Sequence, residues 1–191
     1  MRLKPLCMAA LLALSVPAGA QKTLALQELD VTRIWQEYGN PRVAGDTLEL
    51  QARSILKVKL DGRAERFRTQ LALDSHTPDA DNPDWLVQPL VDGTKLLFRS
   101  TSGGKQLVGV AGKDGRVGDG SVRFVLKADG QPVYDSGILR QGKTLDVDVP
   151  LEGVHLLEME VDPTPDGPSG DLLRLLSAGF TYRGERPEMA A

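Results

Sequence analysis

The sequence contains little of the chemistry from which enzyme sites are usually built. Among 191 residues it has one cysteine, Cys7, and two histidines, His76 and His155. Cys7 lies in a segment that we expect to be removed, so the mature protein would have no disulfide, thiol nucleophile or thiolate metal site. His155 falls in a segment with polar outward positions, and His76 has no G-x-S-x-G motif nearby. We therefore expect a protein that is not an enzyme.

Concentrated positive charge and long apolar runs are absent as well. The chain has 23 basic and 26 acidic residues and a formal net charge of −3. It shows no Lys/Arg cluster of the kind that a nucleic-acid surface requires. Beyond the N-terminus, no stretch approaches the roughly 20 apolar residues of a membrane-spanning helix. We expect neither nucleic-acid binding nor membrane insertion.

The first 20 residues have the pattern of a secretory signal peptide. Arg2 and Lys4 form a basic head, residues 8–14 form a short apolar core, and residues 18–20 (Ala-Gly-Ala) are typical of a cleavage site. The sequence therefore predicts a mature chain that begins near Gln21, is exported, and resides in the periplasm or outside the cell.

Alternation of apolar and polar residues indicates strands through most of the mature chain. Leu56, Val58 and Leu60 share one face of a predicted strand. The same period recurs at 67–73, 122–127, 145–149 and 156–161. Asp61-Gly62 and Asp129-Gly130 are dipeptides typical of the type I′ turns that join hairpin strands. The pattern predicts an all-β fold, an antiparallel β-sandwich, with Val122, Phe124 and Leu126 facing the core from a central strand.

The mature chain is predicted to form one domain over residues 21–184. Residues 76–118 are rich in loop-forming residues, and we interpret them as an insertion at one end of the sandwich. Two apolar runs inside the insertion, 96–98 and 107–110, predict a hairpin. Residues 185–191 are predicted to be a flexible tail.

Residues 118–137 resemble the NPCBM family of carbohydrate-binding modules. A glycine-rich lead at 118–120 is followed by Ser-Val-Arg-Phe-Val-Leu-Lys-Ala-Asp-Gly over 121–130, which resembles the family's S-V-x-F-x-V-x-x-D-G strand with Leu126 at the second valine. A short strand then ends in Tyr-Asp-Ser-Gly at 134–137. Trp35 and the Gln-Ala-Arg-Ser segment at 51–54 match weaker family features. The resemblance spans Leu24 to about Tyr182, interrupted by the insertion. It implies a galactose-binding-like jelly-roll sandwich that binds sugar.

Two positions depart from that family pattern. Of an Asp-His-x-Asp-Trp-like segment at or near the family's sugar site, only Asp171 is kept, because Leu172–Leu175 replace the rest. Gln51 stands where the family usually has histidine. These departures favour an alternative function, a protein-interaction or assembly domain of the cell envelope that has kept the sandwich and lost the sugar site. A glycan and an envelope protein both remain open as the partner.

Sugar binding needs an aromatic surface for stacking and fixed polar groups for the hydroxyls. Trp35, Tyr38 and Trp85 are the aromatic candidates, and Gln51 and Asp171 are the polar ones. Trp85 follows a polar, proline-containing stretch, so we interpret it as part of a loop. Its indole is as consistent with exposure as with burial, and the surroundings of Trp35 favour a core position over an exposed binding surface. The predicted ligand-binding residues are Trp35, Gln51, Trp85 and Asp171.

One acidic loop bears on cofactors. Asp79, Asp81 and Asp84 lie close together but lack the D-x-D-x-D-G spacing and late glutamate of a calcium loop. We expect no cofactor and no catalytic metal, and the loop leaves a structural calcium ion open.

Overall fold

Strands account for almost all of the regular structure. The computed structural model describes residues 20–37, 39–74, 85–89, 91, 95–101, 104–111, 120–165 and 171–190. Within these ranges the helical elements are two short 3₁₀ turns, Leu26–Glu28 and Val31–Arg33. Two six-stranded sheets and one three-stranded sheet make up the rest. The prediction of an all-β antiparallel sandwich is confirmed.

Sheet A contains six antiparallel strands. They are Lys22–Ala25 (β1), Arg42–Ala44 (β3), Thr47–Gln51 (β4), Ala64–Asp74 (β6), Thr144–Pro150 (β12) and Leu172–Tyr182 (β14). The order is β12-β6-β14-β4-β3, and β1 pairs with the C-terminal half of β14. A bulge in β14 places Ser177 and Ala178 opposite Thr69.

Sheet B contains the other six strands of the sandwich. They are Trp35–Gln36 (β2), Ser54–Lys59 (β5), Ser121–Ala128 (β10), Gln131–Arg140 (β11), Leu156–Pro163 (β13) and Glu188–Met189 (β15). The order is β11-β10-β13-β5-β15, and β2 pairs with the beginning of β5. Strand β10 has a partner on each side, so its predicted central position is confirmed.

One apolar core joins the inner faces of the two sheets. Phe67 and Phe180 from sheet A are buried with ring centroids 5.1 Å apart. Val122, Phe124 and Leu126 from β10 are fully buried in the same cluster, as their spacing predicts. Their burial confirms that the period-2 pattern correctly identified the inner face of this strand.

The two Asp-Gly turns have the predicted backbone conformation but different roles. Asp129 and Gly130 both have positive φ and join the hydrogen-bonded strands β10 and β11. Asp61 and Gly62 also have positive φ, and Arg63 N donates to Leu60 O at 3.0 Å. This turn, however, connects β5 of sheet B to β6 of sheet A, so the predicted hairpin is wrong there. A dipeptide specifies the local reversal, whereas long-range pairing decides which sheet the next strand joins.

Within the predicted insertion, residues 85–111 contribute the strands of a separate sheet. Trp85–Pro89 (β7), Lys95–Thr101 (β8) and Gly104–Ala111 (β9) pair antiparallel in the order β7-β8-β9. The predicted hairpin is confirmed by the β8–β9 pairing. The loop prediction for Trp85 is wrong for its backbone, because Trp85 begins β7 opposite Arg99.

The C-terminal segment also differs from its predicted flexibility. Glu188 and Met189 pair with Lys59 and Val58 of β5, and the Met189 side chain is buried. Arg33 Nη1 donates to Met189 O at 2.8 Å. Burial of one apolar side chain next to an open strand edge therefore orders residues that, by themselves, show no strand pattern.

Candidate functional site

The predicted site residues Gln51 and Asp171 lie at the same end of the sandwich. We call this the insertion end, because β6 leaves the sandwich there at Asp74 and β10 returns at Ser121. Leu172 pairs with both Gln51 and Asp74, which places the last residues of β4 and β6 beside the first residue of β14. The structure thus brings together residues separated by more than 100 positions in sequence.

Asp171 is an interior residue that connects three segments of the insertion end. Its side chain is fully buried, and Oδ1 accepts a hydrogen bond from Ser121 N at 2.9 Å. Its backbone oxygen accepts a hydrogen bond from Ala52 N at 3.1 Å. These bonds hold the first residue of β10, the residue before β14 and the β4–β5 connection in register.

Gln51 is also buried, and it is linked to the neighbouring strand by a glutamine side chain. Gln51 N donates to Gln36 Oε1 at 3.0 Å, and Ser54 Oγ lies 3.1 Å from the same oxygen. Gln36 therefore attaches the two-residue strand β2 to the β4–β5 connection. Because Trp35 precedes Gln36, this attachment also positions the indole.

Trp35 is the predicted site residue that faces solvent. Its side chain is 54% exposed. Trp35 lies opposite Ile55 in the β2–β5 pairing, and residues paired in this way project from the same face of a sheet. Leu56 is buried in the core, so Ile55 and Trp35 project from the outer face of sheet B, away from sheet A.

A cleft of about 490 Å³ lies beside Trp35, and we call it the Trp35 cleft. Its lining combines the indole with hydroxyl, amide and apolar groups, from Val31, Thr32, Ile34, Trp35, Gln36, Gly39, Asn40 and Pro41. Its volume lies in the range of small-ligand pockets. Sequence reasoning missed Thr32, Gln36 and Asn40, and adjacency to Trp35 was the only signal for Gln36.

The remaining aromatic candidates and the acidic loop cannot be placed at this cleft. Tyr38 and the acidic residues Asp79, Asp81 and Asp84 lie outside the described residues, and so do the surroundings of the Trp85 side chain. The role of Trp85 stays a prediction. In the part of the chain that the structure describes, no group of three or more His, Cys, Asp or Glu side chains could hold a metal ion, and no helix is long and apolar enough to cross a membrane.

The Tyr-Asp-Ser-Gly segment forms a β-bulge within β11 rather than the end of a strand. Ser136 and Gly137 lie opposite the single residue Phe124, and Ser136 Oγ accepts a hydrogen bond from Phe124 N at 2.8 Å. Arg123 Nε donates to Asp135 Oδ1 at 2.9 Å. The hydrogen bonds from Arg123 and from the Gly137 amide lower the pKa of Asp135 to about 2. These side chains stabilise the bulge.

Solved structures with the same fold come from Clostridium perfringens. A CBM51 module of a GH95 protein in complex with methyl-galactose is 17% identical with a TM-score of 0.55; the match covers 83% of this chain and 99% of that one. CBM51-2 in complex with GlcNAc and the INT domains of ZmpB is 14% identical with a TM-score of 0.56; the match covers 87% of this chain and 33% of that one. A structure of the ZmpB M60 catalytic domain with CBM51-1 and CBM51-2 is 15% identical with a TM-score of 0.56 and coverages of 85% and 15%.

The family model of the NPCBM/NEW2 domain matches residues 98–181. That range includes β10, the Asp129-Gly130 turn and the bulge in β11, which carry the resemblance seen in the sequence. The upstream matches at Trp35 and residues 51–54 lie outside the range. No curated protein shows a significant sequence match. Residues 98–181 therefore match the NPCBM/NEW2 domain family, and the sandwich has the fold of CBM51 modules.

Proposed function

We propose that this protein is an exported, non-catalytic carbohydrate-binding domain and that its ligand docks on Trp35. The match of residues 98–181 to the NPCBM/NEW2 domain family and the CBM51 fold support a carbohydrate-binding module. The location of the binding site is supported by the exposed Trp35 indole in the wall of the Trp35 cleft. An exposed indole is costly to leave in water, and its flat apolar face matches the C–H face of a pyranose ring.

The polar groups of the cleft complete this proposal. Thr32, Gln36 and Asn40 line the cleft with a hydroxyl and two amide groups. The Thr32 hydroxyl donates to Asp30 Oδ1, so its oxygen is left to accept a hydrogen bond from a sugar hydroxyl. Gln36 Oε1 already accepts a hydrogen bond from Gln51 N, which holds this side chain in place before a ligand arrives. In this scheme Gln51 and Asp171 position the cleft from the interior instead of contacting the sugar.

The burial of Gln51 and Asp171 also favours a second candidate function. Gln51 stands in place of the histidine of the family's sugar-site pattern, and Asp171 is the residue kept from the Asp-His-x-Asp-Trp-like segment. Both residues are buried and make contacts within the protein. A protein-interaction or assembly domain of the cell envelope would show this arrangement. It would use the same exposed Trp35 against a protein surface.

Glycan-array binding of the mature protein, with and without calcium, separates the two candidates. Titrations with methyl galactoside and with N-acetylglucosamine would then compare wild type with Trp35→Ala. We expect the substitution to weaken sugar binding more than tenfold while leaving the melting temperature almost unchanged, because Trp35 is 54% exposed. Trp85→Ala tests the sequence prediction that this residue also contacts the ligand. An array without any bound glycan would overturn the sugar proposal.

Export rests on the N-terminal sequence pattern, and residues 1–19 lie outside the described residues. We expect N-terminal sequencing of protein from the producing cell to begin near Gln21. A secreted or periplasmic chain that still begins at Met1 would contradict the signal-peptide proposal.

A further inference from the structure

The outer face of sheet B continues from the Trp35 cleft as a row of paired residues. Trp35 pairs with Ile55, Ile55 pairs with Glu160, and Glu160 pairs with Val125. Because paired residues project from the same face, this row runs across β2, β5, β13 and β10 on the outer face of sheet B, where Glu160 is half-buried and Val125 is buried. Ile55 is half-buried and lies directly beside the exposed indole.

A second cavity, of about 390 Å³, lies one row closer to the insertion end. Arg53, Arg123, Ile138, Asp162, Pro163, Thr164 and Pro165 line it. Asp162 pairs with Arg123, and Arg123 pairs with Ile138, so these three side chains also share the outer face of sheet B. Ile138 is 56% exposed, so it offers an open apolar surface in the cavity wall.

The second cavity offers the kind of contacts that a sugar residue needs. The Asp162 carboxylate accepts hydrogen bonds, and the Arg53 guanidinium, which is 59% exposed and pairs with Glu37 at 3.6 Å, donates them. Arg123 is already held by Asp135. Charges of both signs line this wall, which suits hydroxyl groups better than a ligand of uniform charge. Ile138 supplies an apolar surface for a ring.

The distance between the two cavities sets the size of the ligand. Neighbouring strands lie about 4.8 Å apart, so Asp162 on β13 is two steps, about 10 Å, from β2, and Ile138 on β11 is four steps, about 19 Å. The middle of the second cavity, at Arg123 on β10, is three steps away, about 14 Å or about three pyranose rings. A single sugar on Trp35 cannot reach Asp162 or Ile138. A linear chain of about three sugars would cross the strands and contact both cavities.

We infer that the ligand of this domain is an oligosaccharide of about three sugar units, which lies across the strands on the outer face of sheet B. One terminal sugar occupies the Trp35 cleft, the next passes over Ile55, and the third occupies the cavity formed by Asp162 and Ile138. This inference rests on the proposed sugar-binding function and names the substrate class of that site.

Calorimetric titration of the mature protein with saccharides of increasing length tests the inference. The probes are galactose and N-acetylglucosamine with their linear oligomers of two to four units. We expect the trisaccharide of one series to bind at least tenfold more tightly than its monosaccharide, with no further gain at four units. The double variant Asp162→Ala/Ile138→Gln should lose this gain while binding the monosaccharide as wild type does. Asp146→Ala, on the outer face of sheet A, is the matched control and should retain the gain.

Each other outcome has a distinct meaning. Equal affinity for one and three units would overturn the extended site and leave sugar binding at Trp35 intact. A length-dependent gain that survives Asp162→Ala/Ile138→Gln would show that the additional sugars bind elsewhere, which also overturns the inference. No binding of any saccharide would overturn both this inference and the proposed function.

Discussion

The carboxylate of Asp171 accepts a hydrogen bond from the backbone amide of Ser121 at 2.9 Å, although 50 positions separate the two residues. Ser121 begins β10, where the chain returns from the insertion, and Asp171 directly precedes β14. This bond joins sheet B to sheet A at the end of the sandwich beside the Trp35 cleft. A position that the sequence identified as a remnant of a sugar site is therefore a structural contact between the sheets.

Replacement of Asp171 tests this structural role. Asp171→Ala leaves the buried Ser121 amide without its acceptor, so we expect the free energy of unfolding to fall by about 1–3 kcal/mol. Asp171→Asn keeps an acceptor oxygen and should cost less. Denaturant titration measures both changes, and glycan titration of folded Asp171→Asn should match wild type. A lost affinity in a stable Asp171→Asn protein would instead place this side chain in the binding site.

Substitution of Phe124 tests the packing of the hydrophobic core. Its side chain is fully buried, with its ring centroid 6.4 Å from that of Tyr134. Phe124→Ala removes this burial and leaves a cavity, so we expect a loss of about 3–5 kcal/mol in the free energy of unfolding. Val133→Ala, at a 45% exposed position of β11, is the control and should change it by less than about 0.5 kcal/mol. A loss under about 1 kcal/mol for Phe124→Ala would contradict the packing.

Gly179 allows β1 to approach β14. A Cβ atom at this position would lie 2.8 Å from Leu24 O, a backbone atom that has little room to move. We expect Gly179→Ala to cost about 1–3 kcal/mol through overpacking and to reduce the hydrogen-exchange protection of residues 22–25. Gly142→Ala is the control, since Gly142 has a φ of 74° and no atom near its added Cβ. That variant should cost about 1–2 kcal/mol through backbone strain alone. Unchanged protection of β1 in Gly179→Ala would show that the strand accommodates a methyl group.

The Arg123–Asp135 pair should contribute a pH-dependent part of stability. The pKa of Asp135 falls from 3.8 to about 2 because of hydrogen bonds from Arg123 and the Gly137 amide. A lowered pKa means that the folded state binds fewer protons, so the contribution is present above pH 3.8 and is lost as pH falls through about 2. Asp135→Asn should therefore differ most from wild type above pH 4 and approach it near pH 2. Denaturant midpoints across this range give the comparison, and a difference independent of pH would contradict the assignment.

Much of the fold could be predicted from local sequence, because strand period and turn chemistry act over a few residues. The alternation in residues 122–127 correctly placed Val122, Phe124 and Leu126 in the core, and Asp129-Gly130 formed the predicted turn. The same rules could not tell that Asp61-Gly62 connects different sheets, because both outcomes use the same turn conformation. Nor could they predict that Met189 would be buried against Val58.

The candidate site was harder to predict, because side-chain exposure depends on segments that are distant in sequence. Sequence alone determined the strand alternation, the family segment around β10 and β11, and the presence of Trp35. Only the tertiary structure decided that Trp35 faces solvent while Gln51 and Asp171 are interior residues. The physical reason is that buried polar groups need hydrogen-bond partners, and folding decides which ones they meet. The Asp171 carboxylate accepts from Ser121 N, and the Gln36 side chain accepts from Gln51 N. Those partners come together only when the two sheets pack.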